Sequence, residues 1–259
     1  MTLPRESPVP EPLDAARYAR LDALYQRQLR AAAAEVAAAI AHAAGTPLNV
    51  ISGRSELIRQ DPANAGAQLT RIDDQVRKLA EGLRQFVEYL TLQEGASKEG
   101  DANGEVPAAQ LLAELSGLIA PLAVSQRVTL SIDPTEIGAA SIDAQVLSNL
   151  VALVSWAVSS AGASSAGASS AGAPNKVVEL KGSATAGGVL FELTVPGLPP
   201  PDAWRIERFE TTAPGETSEP YRVMAICAAV ARGQGGKLFA DALPDGGGVK
   251  IRLTYRSAL

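Results

Sequence analysis

Residues 40–49 read Ile40-Ala41-His42-Ala43-Ala44-Gly45-Thr46-Pro47-Leu48-Asn49. They sit inside a run, Ala15 to Gln60, that is rich in Ala, Leu, Arg and Gln, all good helix formers. Pro47 removes one backbone donor, which predicts a kink in that helix rather than its end. His42 is the single histidine among 259 residues, so any imidazole chemistry must run through it. Thr46 follows one helical turn later and shares its face.

After Gln60, Asp61-Pro62-Ala63-Asn64-Ala65-Gly66 is a turn signal. A second helix follows, in which Leu69, Ile72, Val76, Leu79, Leu83, Phe86 and Leu90 recur at alternating spacings of three and four. That is a heptad stripe. The first helix carries a fainter version in Leu29, Val36, Ile40, Ala43, Val50 and Leu57. Two long helices joined by a short turn predict an antiparallel hairpin. One hairpin buries its stripe poorly, whereas two copies close a four-helix bundle, so a homodimer is expected.

The rest of the chain divides by composition. Residues 1–12 are proline-rich and predict a disordered N-terminus, 13–93 a helical domain, 94–105 (EGASKEGDANGE) a polar linker, and 106–259 a mixed α and β domain. In the last part, 108–125, 144–158 and 221–232 read as helices. Residues 127–132, 177–181, 189–195 and 249–255 alternate as strands. SSAGA occurs three times in succession over 159–173 and predicts a flexible loop.

Composition excludes several function classes. One cysteine forms no intrachain disulfide, and one Cys with one His supplies no zinc site of the usual ligands. The net charge is −5 with scattered Lys and Arg, so no nucleic-acid or anionic-membrane surface is expected. No apolar run is expected to reach the length of a membrane span, and the opening residues lack a signal-peptide core. These features predict a soluble, cytoplasmic protein. Trp156 and Cys227, each on an apolar helix, are expected in the core. Trp204, after three prolines, is expected on the surface or in a cleft.

The segment around His42, continuing as Asn49-Val50-Ile51-Ser52-Gly53-Arg54-Ser55-Glu56-Leu57, resembles the H-box of sensor histidine kinases. The hairpin is similar to that family's dimerisation and phosphoacceptor domain. The C-terminal part is similar to its ATP-binding α/β sandwich, so the resemblance runs from about residue 28 onward. It implies an α+β multidomain fold in which His42 accepts a phosphoryl group and Thr46 helps orient the water that removes it. It also implies a response-regulator receiver domain as partner. The receiver would dock near His42, with Asn49, Gly53 and Arg54 as candidates. Val50 and Leu57 also lie in that stretch but fit better as bundle core. Neutral imidazole carries the lone pair that such an attack needs.

The sequence departs from the family at its chemistry. The acid expected directly after the histidine, which would take the imidazole proton, is Ala43. Residues 145–153 look like the N-box helix, with Asn149 at its first asparagine. The second, which would hold Mg²⁺, is Leu153, a side chain with no oxygen for a hard cation. The aspartate that would read adenine is Leu193. Residues 206–212 resemble the F-box, but the phosphate-cradling glycines after it are replaced around Pro220-Tyr221-Arg222-Val223-Met224. Gly235-Gly236 and Gly247-Gly248 match the closing hairpin.

Phosphoryl transfer from ATP rests on positioning and charge neutralisation. Together these losses argue against ATP-dependent autophosphorylation. No cofactor is expected, with ATP and Mg²⁺ bound only if the divergent site still works. The expected function is a histidine phosphotransferase, or pseudokinase, relaying or removing phosphoryl groups between receivers through His42. The alternatives are a soluble ATP-dependent histidine kinase and a non-catalytic dimeric scaffold that binds a receiver.

Overall fold

The computed structural model describes residues 15–96, 104–163, 176–198, 221–244 and 246–256. Helix α1 (Ala15–Gln60) takes Pro47 into its interior without ending. Asp61 then turns the chain, its carboxylate accepting the Ala63 amide at 3.2 Å and Asn64 Nδ2 at 2.5 Å. After a single 3-10 turn (Pro62–Asn64), α2 (Ala65–Ala96) returns along α1.

The remainder is an α/β unit with the order β1 (Glu105–Pro107), α3 (Ala108–Ser125), β2 (Val128–Glu136), β3 (Ser141–Asp143), α4 (Val146–Ala163), β4 (Lys176–Thr185), β5 (Gly188–Pro196), α5 (Arg222–Gly233), β6 (Lys237–Ala242) and β7 (Gly248–Arg256). The fold is α+β, as expected. Five strands form one sheet in the order β2-β4-β5-β7-β6. Only the β2–β4 pair is parallel; the other three pairs are antiparallel. Along β5 and β7 every second residue is buried: Val189, Phe191, Leu193 and Val195 face Val249, Ile251, Leu253 and Tyr255 in register. Helices α3, α4 and α5 cover that face. The opposite face carries charge, with ion pairs Lys250–Glu192 at 3.5 Å and Arg252–Asp241 at 2.5 Å.

Several expectations need revision. Helix α4 continues to Ala163 and takes in the first SSAGA unit, where buried Ala161 carries the packed face of the helix one turn further despite Gly162. Residues 164–175 lie outside the described residues, as do 1–14. Helix α2 runs to Ala96, three residues into the expected linker, and Glu105 at its other end already pairs with Asp143. The short strands β1 and β3 carry three residues each, too few for a period-two signal.

The expectation that no segment reaches membrane-span length also fails. Helices α3 and α4 are each 18 residues long and apolar enough by composition. Their hydropathy has a different cause: both lie between the sheet and α1, and 14 residues of α4 are buried.

The heptad stripe of α2 divides between two environments. Ile72, Leu79 and Phe86 are half-buried, whereas Leu69, Val76 and Leu83, seven residues apart, are exposed. On α1 the stripe changes partner along its length. Leu29 and Val36 are buried where α1 lies on α3, α4 and α5. Val50 is half-buried and Leu57 exposed, beyond the reach of that unit.

Candidate functional site

His42 lies in the second half of α1, exposed to solvent, and Thr46, Asn49 and Gly53 are exposed with it. The spacings of four, three and four residues place all four on one face of the helix. A Cβ at Gly53 would meet nothing within 4 Å, so this stretch of helix is open to an approaching surface. One heptad before His42, on the same side, Glu35 accepts a hydrogen bond from Ser159 Oγ at 3.0 Å. The C-terminal end of α4 therefore reaches the near end of the stripe and leaves His42 itself uncovered.

Arg54 is half-buried, and its Nη1 donates to Gln68 Oε1 at 2.8 Å, tying α1 to α2. It bridges the hairpin, whereas Asn49 and Gly53 stand on the open stripe. Ala43, where an acid would stand, is exposed beside His42 and supplies no proton acceptor. Between the helices an apolar groove of about 370 Å³ is lined by Ile40, Ala44, Pro47, Leu79, Leu83 and Phe86, with Gly117 and Pro121 of α3 at one end.

The residues expected at a nucleotide site lie in the interior. Leu153 and Leu193 are each 1% exposed and belong to one continuous core with Tyr221. Asn149 is fully buried. Its Nδ2 donates to Tyr255 Oη at 2.6 Å and to the Cys227 carbonyl oxygen at 3.3 Å. Burial pushes the Cys227 thiol up to about 12 and raises the phenols of Tyr25 and Tyr255 above their ordinary value. Trp156 is in the core. Trp204, Pro220 and residues 206–212 lie outside the described residues. Among the described residues, no three His, Cys, Asp or Glu side chains gather as a metal site would require.

The sequence reading missed the tyrosines. Three of the chain's five pack into the core from separate elements: Tyr25 half-buried on α1, Tyr89 buried on α2 and Tyr255 buried on β7. Their scarcity in a chain with 4% aromatics was the available signal, but 230 positions separate the first from the last.

No family model matches the sequence, and no curated protein matches it. Solved structures resemble it in shape. Histidine kinase ThkA in complex with response regulator protein TrrA is 15% identical, with a TM-score of 0.47, covering 96% of this chain and 68% of that one. The ATP binding domain of PrrB from Mycobacterium tuberculosis is 21% identical, with a TM-score of 0.40, covering 61% and 100%. A bacterial phosphotransferase is 12% identical, with a TM-score of 0.40, covering 95% and 100%. At such scores and identities the likeness assigns no activity to this chain.

Proposed function

We propose that the protein is a histidine phosphotransferase of two-component signalling, related to histidine kinases, and that it relays or removes phosphoryl groups through His42. One observation carries this reading: the imidazole stands on an open helical stripe while Asn149, Leu153, Leu193 and Tyr221 are enclosed in the core. A phosphoaspartate on a receiver domain suits such an acceptor. The receiver brings its own Mg²⁺ and acid pocket, so the acceptor need only present a lone pair. The imidazole nitrogen forms a bond to phosphorus, the acyl-phosphate P–O bond breaks, and the aspartate carboxylate leaves with the electron pair. The other ring nitrogen keeps its proton, so the step tolerates alanine at position 43.

Thr46, one turn on, is positioned to orient a water against phosphohistidine, and Asn49 and Gly53 offer the receiver its footing. The exposed Leu69, Val76 and Leu83 support a homodimer closing a four-helix bundle. Leu83→Glu is expected to shift sedimentation from dimer to monomer.

The functional test uses receiver domains phosphorylated on aspartate by acetyl phosphate. Wild-type protein is expected to gain an acid-labile phosphoryl group on the peptide containing His42, and His42→Ala to gain none. Receiver binding by both proteins with transfer to neither would favour the scaffold reading.

A further inference from the structure

A second groove runs along the hairpin, and its lining is cationic. It holds about 740 Å³ and is bounded by Val50 and Arg54 of α1 and by Arg71, Asp74, Lys78 and Glu81 of α2, with Arg77 beside them. Both acids are already engaged. Arg77 holds Asp74 at 3.2 Å, and Arg84 holds Glu81 at 2.6 Å. Arg71 and Lys78 are exposed, and among the described residues neither has an ion pair or a hydrogen bond. Arg54 bonds to the neutral amide of Gln68. The groove thus carries four cations against two acids, on a chain whose net charge is −5.

Helical spacing sets what surrounds this groove. Arg71 and Lys78, seven residues apart, share one face of α2, while Leu69, Val76 and Leu83 lie on roughly the opposite side. A homodimer closing over those three leaves the groove open. On α1, Val50 and Arg54 directly follow Asn49 and Gly53, and they lie between the exposed stripe and α2. Val50 stands about 12 Å along the helix from His42. A domain of about 100 residues has a radius of gyration of about 13 Å, so one that meets His42 covers the groove as well. A concave surface with a surplus of one charge attracts the opposite charge.

We propose that Arg54, Arg71 and Lys78 take an acidic flank of the receiver that reaches His42, so that docking extends from α1 across to α2. This rests on the phosphotransfer reading and adds the charge of the partner: Asp and Glu side chains beside its phosphorylated pocket.

The test follows transfer to the full chain from a receiver phosphorylated by acetyl phosphate. The double variant Arg71→Glu/Lys78→Glu is expected to slow transfer about tenfold at low salt and subsaturating receiver. It should leave the rate at saturating receiver unchanged and flatten the salt dependence seen with wild type. The control Lys181→Glu/Lys237→Glu changes the net charge equally on the sheet and should alter transfer less than about twofold, because exposed charges far from the contact are screened. A groove variant that matches wild type, or a control that slows transfer as much, overturns the proposal and leaves the phosphotransfer reading standing. No transfer to wild type from any receiver removes both.

Discussion

Between residues 29 and 39, α1 buries Leu29, Ala32, Ala33, Val36 and Ala39 against the α/β unit. Between 42 and 57 the same helix leaves His42, Thr46, Asn49, Gly53 and Leu57 exposed. Both halves are alanine-rich, and apolar residues continue through both at helical spacing. What separates them is cover: α3, α4 and α5 lie over the first half, and α2 lies beside the second. The contrast teaches that one helix serves as anchor and display.

The largest effect expected from breaking this contrast is at Val36. Val36→Asp puts an unpaired carboxylate where exposure is 0% and should cost about 4 kcal/mol in urea unfolding. The same change at exposed Leu48 should cost less than about 1 kcal/mol. Equal costs would mean that the two halves are covered alike.

Alkaline pH probes the anchored half. The folded chain holds the Cys227 proton up to about 12, against an ordinary 9.0, and the Tyr25 and Tyr255 phenols are raised above 10.0. Folded protein therefore binds these protons more tightly than unfolded protein does. That stability is fully present below pH 9 and is lost as pH rises from there toward 12, by about 1.4 kcal/mol per pH unit for each titrating group. Unfolding free energies from pH 8 to 11 should show the decline, and Cys227→Ala should remove its earliest part.

These predictions depend on features that were unevenly legible in the sequence. Helix formers from Ala15 to Gln60 and the apolar 108–125 run matched α1 and α3 at their ends, because propensity and periodicity are local. The exposed stripe around His42 was legible too, since helical spacing alone places His42, Thr46, Asn49 and Gly53 together. The partner of each half of α1 was not. Leu29 and Val36 have seam spacing whether a second helix or an α/β unit covers them. The tie of Arg54 to Gln68 was not legible, because it crosses the turn. The hydrogen bond between Asn149 and Tyr255 was hidden for the same reason: 106 positions separate the two.

On the display half the expected effects are smaller. Gly53→Ala should stabilise by about 1 kcal/mol or less, since the added methyl meets open space and alanine suits a helix better. Thermal unfolding reads this, and a loss of stability would mean that the stripe is covered. His42→Ala should leave stability within about 0.5 kcal/mol.

The most direct test compares phosphoryl donors on wild-type protein. Labelled phosphate is offered as ATP with Mg²⁺ in one reaction and as a phosphorylated receiver domain in the other. Label is expected on His42 from the receiver and none from ATP. Label on His42 from ATP alone would contradict it and make the protein a kinase in its own right.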